Sequence, residues 1–392
     1  GSYDTFNPFS LKGTSADGIG GLFESLTTAS KDEAFTEYGL IAETIEWPDD
    51  RSWVAFKIRK EARWQDGKKI IPEDVIWTFN TLMEKGHPFY KYYYADVKEV
   101  IKESENKVRF NFKGKTNLEL PLIVGQLPVL PKHYWNDLNF EETILKPPLG
   151  SGPYKIKSFD PGRSITYELN KDYWGFEIPI KKGTENFEII KYEYYKDRSI
   201  EREAFKSGDI DFFSENTSKD WATSYNIPAV QKGLIIKENI EHENPQGMQA
   251  FVFNTRKEIF NNRKVREALS YAFDFEWTNK NLFYDAYKRT DSFFENSELA
   301  SSGLPKGKEL NWLRGYMELL PGEIFTKEFS PSKTDGSGFI RKELQKATKL
   351  LEQAGWNLQE SKLVNKKTLK EFKFEILLVS PAFERIVLPF KD

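Results

Sequence analysis

The chain has 392 residues, a length that fits two or three domains better than one. Its 57 basic and 60 acidic side chains give a net charge of −3, so it lacks the basic excess of nucleic-acid-binding proteins. Because the chain has no cysteine, disulfides, thiol nucleophiles and thiolate metal sites are excluded. Its three histidines are far apart in sequence, and no HExxH, GxSxG or glycine-rich phosphate motif occurs. We therefore expect neither a metal nor another cofactor.

Aromatic residues make up 15% of the chain, which suits either an aromatic-lined cleft or a core of stacked rings. No apolar run approaches the roughly 20 residues needed to cross a bilayer. The chain begins with Gly-Ser and shows neither the charged region nor the apolar region of a signal peptide, so we expect none within it.

The first regular elements are predicted between residues 22 and 86. The stretch LFESLTT (residues 22–28) follows a glycine-rich turn, and alternating apolar residues predict a strand within residues 46–60. The stretch ARWQDGKKIIPEDVIWTFNTLM (residues 62–83) predicts a turn and then a helix that starts at Pro72. Ile71 precedes this helix and has no capping oxygen, which should weaken the helix N-terminus. The predicted buried face contains Val75, Ile76, Phe79, Leu82 and Met83, and Gly86 is the predicted C-cap.

Tyrosines are concentrated in FYKYYYA (residues 89–95), which fits a packed loop or a set of rings that line a cleft. Residues 97–112 predict two strands, and residues 118–124 a helix or a strand. His133 is predicted to be a buried or capping histidine rather than a metal ligand.

A β-hairpin is predicted in the middle of the chain, in PPLGSGPYKIKSFDPGRSITYELNKDYWG (residues 147–175). Alternating residues 154–159 form its first strand, residues 160–162 turn the chain, and residues 165–169 return it. Tyr173 and Trp174 follow as an aromatic plug.

Strands and a short helix alternate in the prediction for residues 187–255. Ser199 should cap the helix that runs to Lys206 and ends at Gly208. The predicted strands are Phe187–Tyr192, Asp209–Phe213, two that flank Gly233 and residues 244–247, and QAFVFNT (residues 249–255).

The last third of the chain is predicted to contain helices separated by a loop. Asn262 should cap a helix over residues 263–273 that has a clear apolar stripe. A loop over residues 325–338 precedes a helix over 341–354, for which Leu344, Ala347, Thr348 and Leu351 are the predicted inward residues. A buried strand over 372–379 and a helix after Ser380 and Pro381 complete the prediction.

Four of these motifs, in this order, resemble the family 5 extracellular solute-binding proteins, the peptide-binding subunits of ABC importers. They are LFESL, WQDGKKIIPEDV, GSGPY with PG and YWG, and SIEREAFKSGDIDFF followed by VFNT. The stretch RKVREALSYAFDFEWTNKNLFYDAYKRTDSFFENSELASSGLP (residues 263–305) is closest to the YejA-type subgroup of oligopeptide and microcin C uptake proteins. Ile71 departs from the family pattern, which usually has a capping threonine there.

The resemblance implies an α/β, two-lobed periplasmic-binding-protein-like (type II) fold with an inserted subdomain in the first lobe. It implies residues 1–20 as the N-terminal part of the first lobe, 21–147 as the insertion, 148–250 as the central part of the first lobe and 251–392 as an incomplete second lobe. We expect the C-terminal part of the fold to be missing, because no strand can follow the last helix.

The resemblance also implies binding without catalysis. An oligopeptide would bind in a cleft between the lobes, and a membrane permease of an ABC transporter would receive it, with the protein monomeric, periplasmic and free of nucleic acid. The predicted ligand-binding residues are Glu24, Ser25, Tyr92, Tyr93, Phe253, Asn254, Trp277, Arg289, Phe293 and Asn296. Two alternatives remain open: the same fold with a sugar, heme or nickel chelate as its ligand, and a hydrolase that uses paired carboxylates.

Overall fold

A computed structural model describes residues 1–31, 33, 36–114, 117–242 and 244–391. The chain divides into two compact units, Gly1–Asp211 and Phe212–Asp392. Among the described residues, no helix has the length and the apolar composition of a membrane span.

The first unit is built on antiparallel sheets. Its strands are β1 Thr27–Ala29, β2 Glu37–Gly39, β3 Ala42–Glu46, β4 Trp53–Ile58, β5 Val97–Ser104, β6 Lys107–Phe112, β7 Tyr154–Asp160, β8 Ser164–Leu169 and β9 Ile189–Glu193. They form a two-stranded ribbon (β1-β2), a four-stranded sheet in the order β3-β4-β6-β5 and a three-stranded sheet in the order β7-β8-β9.

The helices of the first unit are mostly short. They are α1 Pro72–Lys85, α2 Phe89–Tyr93, α3 Leu120–Gly125, α4 Lys132–Trp135 and α5 Arg198–Ser207, with 3-10 turns at Ile19–Leu22 and Pro179–Lys181. The prediction over residues 118–124, which left helix or strand open, is thus resolved as a helix. The tyrosine-rich segment, predicted as a packed loop or a set of rings, begins with the one-turn helix α2.

The four-stranded sheet and α1 share an aromatic core. Val54 and Phe56 on β4 are buried, and the Phe56 ring meets the Phe110 ring of β6 edge-on at 5.8 Å. Phe79 of α1 packs edge-on against the same Phe110 ring at 5.9 Å. The predicted strand and the predicted apolar face of the helix are therefore confirmed, since both contribute to one core.

Asp74 takes the place of the missing capping side chain at the start of α1. Its carboxylate accepts the backbone N–H of Ile71 at 3.2 Å, the indole N–H of Trp64 at 3.3 Å and the backbone N–H of Lys132 at 3.3 Å. Burial raises the pKa of Asp74, and these three donors only partly offset that effect. The carboxylate therefore ties the helix start to two other segments of the chain.

The central hairpin is present as predicted, with β7 and β8 paired from Tyr154 opposite Leu169 to Asp160 opposite Ser164. Just before it, the Leu22 carbonyl oxygen accepts the N–H groups of Ser151 at 3.0 Å and Gly152 at 2.9 Å. A Cβ atom at Gly150 would lie only 1.9 Å from that oxygen. The GSG sequence is therefore needed because two backbone segments touch here.

The second unit is mainly helical. Its helices are α6 Ser218–Thr223, α7 Pro228–Gln231, α8 Glu258–Asn261, α9 Arg263–Tyr271, α10 Phe275–Leu282, α11 Gly307–Arg314, α12 Arg341–Gln353 and α13 Glu384–Lys391, with 3-10 turns at Gly322–Phe325 and Pro381–Phe383. Its strands are β10 Trp356–Gln359 and β11 Lys362–Asn365, which form an antiparallel pair.

A small core holds α9, α12 and β10 together. It contains Phe260, Val265, Ala268, Ala347, Leu351 and Trp356. Asn262 caps α9 through a hydrogen bond from the Lys264 N–H at 2.9 Å, as the sequence predicts.

Several predicted strands are wrong. Residues 209–213, 249–255 and 372–379 form no strand, and no strand flanks Gly233 or the described part of residues 244–247. The apolar patterns in these segments favour extended backbone, but a strand also needs a neighbour that accepts its hydrogen bonds. Among the described residues of the second unit, β10 and β11 are the only paired strands.

The predictions for four single residues are also wrong. Asp197, not Ser199, is the N-cap of α5, since its side chain accepts the Ser199 N–H at 2.7 Å. Leu344 and Thr348 are exposed, because α12 packs on α9 and β10 around Ala347 and Leu351. His133 is neither buried nor a cap; its ring lies at the surface, 2.9 Å from the Asp66 carboxylate.

The close approach at Gly150 gives a stability prediction. Gly150→Ala forces a methyl group against the Leu22 carbonyl, so we expect the free energy of unfolding to fall by about 3 kcal/mol. Gly20→Ala is the matched control, because nothing lies within 4 Å of a Cβ atom at Gly20. Denaturant titration of both variants measures the difference, and equal stability for the two would contradict the steric argument.

Candidate functional site

The LFESL segment lies between two other parts of the first unit. The Glu24 N–H donates to the Ser151 hydroxyl at 3.2 Å, and the Glu24 carbonyl accepts the Val129 N–H at 2.9 Å. The segment is thus fixed both to the start of the central hairpin and to the chain after α3.

Glu24 belongs to a cluster of charged and polar side chains, the Glu24 cluster, in which Glu24 and Tyr173 are buried and Lys181 and Glu185 are half-buried. The Tyr173 hydroxyl donates to Glu24 at 2.5 Å. The Lys181 ammonium lies 3.5 Å from Glu24 and 2.9 Å from Glu185, so it bridges the two carboxylates. Only 7% of Glu24 is exposed.

Burial and pairing act against each other on the pKa values of this cluster. Burial raises the pKa of Glu24, and the favourable contacts with Lys181 and Tyr173 do not cancel that effect. Burial lowers the pKa of Lys181, but Glu24 and Glu185 outweigh it and raise the pKa. The tyrosine, whose pKa is also raised by burial and by Glu24, remains a hydrogen-bond donor.

The Glu24 cluster holds the hairpin's aromatic plug against the LFESL segment. Tyr173 is buried, and the Trp174 indole N–H donates to the Ser151 carbonyl at 2.9 Å. With its side chain bonded inside the unit, Glu24 acts as an internal anchor, and its predicted contact with a ligand stays a prediction.

A second chain of polar side chains links two other predicted residues, Ser25 and Tyr93. The Tyr93 hydroxyl donates to the Gln126 side-chain carbonyl at 3.2 Å, and the Gln126 amide donates to Glu37 at 2.9 Å. Glu37 also accepts the Thr27 hydroxyl at 2.9 Å, and the Ser25 hydroxyl donates to the Thr27 carbonyl.

This chain of polar side chains joins β1, β2, α2 and the end of α3. Gln126 and Glu37 were missed by the sequence reasoning, because neither belongs to an aromatic-rich segment or to a motif. The sequence signal for this arrangement is Gly125 at the end of α3. A Cβ atom there would lie 2.6 Å from the Thr27 hydroxyl, so the close approach of α3 to β1 requires glycine.

Tyr92 lies next to Tyr93 on α2 but points away from the core, with 84% of the residue exposed. Tyr93 stacks on Phe89 with ring centroids 4.8 Å apart, while the next ring, Tyr94, is buried. The tyrosine segment therefore supplies both a core ring and exposed rings.

In the second unit, Phe253 and Asn254 lie in the extended segment before α8. The Phe253 ring packs against Phe260 at 5.3 Å and thus covers the small core. Asn254 is exposed, and its side-chain oxygen accepts the N–H and Nε of Arg256 at 3.2 and 3.1 Å.

Trp277 lies on α10, and Arg289 lies in the segment that follows this helix. The α10 start is capped by Asp274, which accepts the Trp277 N–H at 3.0 Å. The loop at Gly338 packs on the Trp277 ring, where a Cβ atom would come within 3.0 Å. The Arg289 guanidinium lies 5.5 Å from the ring centroids of both Phe273 and Phe275.

Phe293 and Asn296 lie in the loop that follows Arg289. Phe293 is 81% exposed. Asn296 adopts a left-handed backbone (φ 65°), and its amide donates to the carbonyls of His242 at 2.6 Å and Asn244 at 3.0 Å. It lines an open groove of about 650 Å³ together with Asn239, Ile240, Glu241, His242 and Gln246.

The structure thus brings Ser25 and Tyr93 into one network and leaves Tyr92 and Phe293 as exposed rings. For all ten predicted residues, ligand contact stays a prediction. In the described part of the chain, no three His, Asp or Glu side chains are grouped so that they could hold a metal ion.

Comparison with known families identifies the class of protein. Residues 36–385 match the family described as "Bacterial extracellular solute-binding proteins, family 5 Middle". The chain therefore belongs to the family 5 solute-binding proteins, a family of substrate-binding proteins rather than enzymes.

Three curated relatives match the whole of this chain. They are the uncharacterized protein y4wM of Sinorhizobium fredii (44% identical over 401 residues), the probable peptide-binding protein YejA of Agrobacterium fabrum (40% over 399) and the peptidoglycan-binding protein YepA of the same organism (41% over 408). The matched region covers 60%, 65% and 66% of these relatives, so the chain spans less than two thirds of their length. The predicted YejA-type resemblance is confirmed.

Solved structures show the fold. NikZ from Campylobacter jejuni, in complex with Ni(L-His), has a TM-score of 0.66 at 20% identity, with 94% of this chain and 64% of that chain covered. AppA from Bacillus subtilis, in complex with a nonapeptide, has a TM-score of 0.60 at 21% identity, with 95% and 65% covered. The predicted α/β, two-lobed type II binding-protein fold is confirmed by these neighbours.

The raised pKa of Glu24 gives a pH prediction. Between the ordinary pKa of 4.5 and the raised pKa, the folded state holds a proton on Glu24 that the unfolded state releases. Stability from this group therefore falls as pH rises through the window between 4.5 and the raised pKa. We expect the free energy of unfolding of the wild type to fall relative to that of Glu24→Gln across this window.

Denaturant titrations at a series of pH values measure this difference. Glu375→Gln, at an exposed position, is the control and should run parallel to the wild type. A wild type that gains stability relative to Glu24→Gln as pH rises would show that pairing with Lys181 outweighs burial, against this account.

Proposed function

We propose that this protein is the substrate-binding component of an ABC importer, that it captures oligopeptides and that it delivers them to a membrane permease. The observation that carries the proposal is the 40% identity, over the whole of this chain, to a relative named as a probable peptide-binding protein. The fold alone does not choose the ligand, since one neighbour of the same fold binds a nonapeptide and another Ni(L-His).

The proposed mode of binding uses the peptide backbone. An extended peptide pairs its N–H and C=O groups with exposed backbone of the protein, which gives affinity with little dependence on sequence. Exposed rings then contact the peptide side chains. Tyr92 and Phe293 support this role, since each leaves a large aromatic surface in water that a ligand could cover.

We propose binding without chemistry, by a monomer that works in the periplasm. The ten residues predicted from the sequence are the proposed ligand contacts, and the proposed lobes keep the predicted boundaries, with the insertion at 21–147 and the second lobe from residue 251. A hydrolase with paired carboxylates gains no support from the Glu24 cluster, because Lys181 lies between its two carboxylates.

A second candidate ligand is a peptide-bearing fragment of peptidoglycan. It is favoured by the relative named as a peptidoglycan-binding protein, which is 41% identical over 408 aligned residues. Both candidates present a peptide backbone, and they differ in the attached sugar.

Thermal unfolding with added ligands tests the proposal. Because a ligand that binds only the folded state stabilises it by mass action, we expect a mixed oligopeptide library to raise the melting temperature. Free sugars and a nickel-histidine chelate should leave it unchanged. Muropeptides that act where free peptides do not would favour the second candidate, and a shift with sugars or nickel-histidine alone would reject both.

The exposed ring of Phe293 gives a site-specific prediction. Phe293→Ala should weaken peptide binding by roughly tenfold, since burying a ring on binding contributes on the order of 1–3 kcal/mol. Leu319→Ala is the control, because Leu319 is equally exposed (81%) and lies outside the predicted site. Isothermal titration calorimetry with a binding peptide compares the two, and equal affinity would remove Phe293 from the site.

A further inference from the structure

Arg289 is a cation held by aromatic rings. Its guanidinium carbon lies 5.5 Å from the centroid of Phe273 and 5.5 Å from that of Phe275. Phe273 is itself fixed, since it packs edge-on against Phe251 at 5.5 Å and Phe390 at 5.7 Å. The arginine head group is therefore held in place by packing.

The same guanidinium has no polar partner among the described residues. It makes no hydrogen bond or ion pair there, and its Nη1 atom is buried without an acceptor. Burial lowers the pKa of Arg289, although the negative charge of Glu276 partly offsets this. An arginine offers five N–H donors, and a buried donor without an acceptor is costly.

Two carboxylates at the start of α10, Asp274 and Glu276, are engaged with the loop around Thr334. Glu276 accepts the Thr334 backbone N–H at 3.0 Å. Asp274 accepts the Thr334 hydroxyl and the Trp277 N–H through one oxygen, while its other oxygen, Oδ2, is buried without a donor. An internal pair between Arg289 and Glu276, the carboxylate whose negative charge acts on the guanidinium, is the arrangement that competes with any ligand role.

We propose that Arg289 is an anion anchor that binds a carboxylate of the ligand. The inference rests on the proposed peptide function and names the chemical group that is recognised. A planar, ring-held guanidinium suits a carboxylate, because two parallel N–H···O bonds can form without loss of side-chain freedom on binding. A peptide offers this group at its C-terminus or on an Asp or Glu side chain.

Peptide analogues and two arginine variants test the anchor. A binding peptide is compared with its C-terminal amide and with a version in which Asn and Gln replace Asp and Glu. Loss of the recognised carboxylate should weaken binding to the wild type by about tenfold or more, because a charged partner is removed from a desolvated pair. If amidation weakens binding, the recognised carboxylate is the C-terminus of the peptide. If replacement by Asn and Gln weakens binding, it is an Asp or Glu side chain.

Arg289→Met keeps an apolar chain of similar length between the rings and removes the charge. It should bind the parent peptide as weakly as the wild type binds the neutral analogue, and it should not distinguish the two. Arg385→Met is the matched control, since Arg385 also lies over a phenyl ring, Phe283 at 5.9 Å, but donates to the Leu282 carbonyl at 2.8 Å. Arg385→Met should distinguish the parent peptide from the neutral analogue as the wild type does. Equal affinity of Arg289→Met and wild type for the parent peptide would overturn the proposal.

The melting temperature of the ligand-free full chain separates the anchor from an internal ion pair. Arg289 is half-buried and has no polar partner among the described residues, so its replacement by an apolar side chain is expected to leave the melting temperature unchanged or to raise it. A melting temperature of ligand-free Arg289→Met that is lower by several degrees would show that Arg289 has an internal partner and would overturn the anchor.

If no peptide binds, the proposed function fails. The anchor is then tested separately with succinate, a small dicarboxylate, as the ligand. A succinate-dependent rise in melting temperature that is lost in Arg289→Met supports it. An equal response in both proteins, or none in the wild type, overturns it.

Discussion

The first unit depends on one backbone contact, in which the Leu22 carbonyl oxygen accepts the N–H groups of Ser151 and Gly152. These residues are far apart in sequence, and glycine at 150 and 152 lets the two segments approach without a Cβ atom between them. The contact places Glu24 beside the aromatic plug after β8, where Tyr173 and Lys181 bind it. The hairpin and the LFESL segment are thus parts of one interaction.

The charged side chains of the Glu24 cluster and of Arg289 have different surroundings. In the first unit, Lys181 lies between Glu24 and Glu185, and a tyrosine supplies a further hydrogen bond, so each charge has a partner. Such a cluster is costly to break, because removal of one member leaves another charge unpaired. In the second unit, Arg289 is held by phenyl rings and has no polar partner among the described residues. The paired cluster fits a structural role, whereas the unpaired arginine fits a role that a ligand completes.

Local pattern predicted much of the first unit. The helical spacing of Val75, Phe79 and Leu82 and the turn at residues 160–162 specify α1 and the hairpin by themselves, and ordered motifs pointed to the family. The burial of Glu24 was not predictable in this way, because its partner Tyr173 lies 149 residues further along the chain. Predicted strands such as residues 372–379 failed for the same reason: apolar alternation gives no information about which neighbour, if any, completes the ladder.

Native mass spectrometry of the protein purified from its own cells tests the claim of peptide binding most directly. We expect the folded protein to carry additional masses, denaturation to release them and fragmentation to identify them as oligopeptides. Release of sugars, heme or a nickel chelate in their place would contradict it, and so would a ligand-free protein that stays ligand-free after incubation with a peptide library.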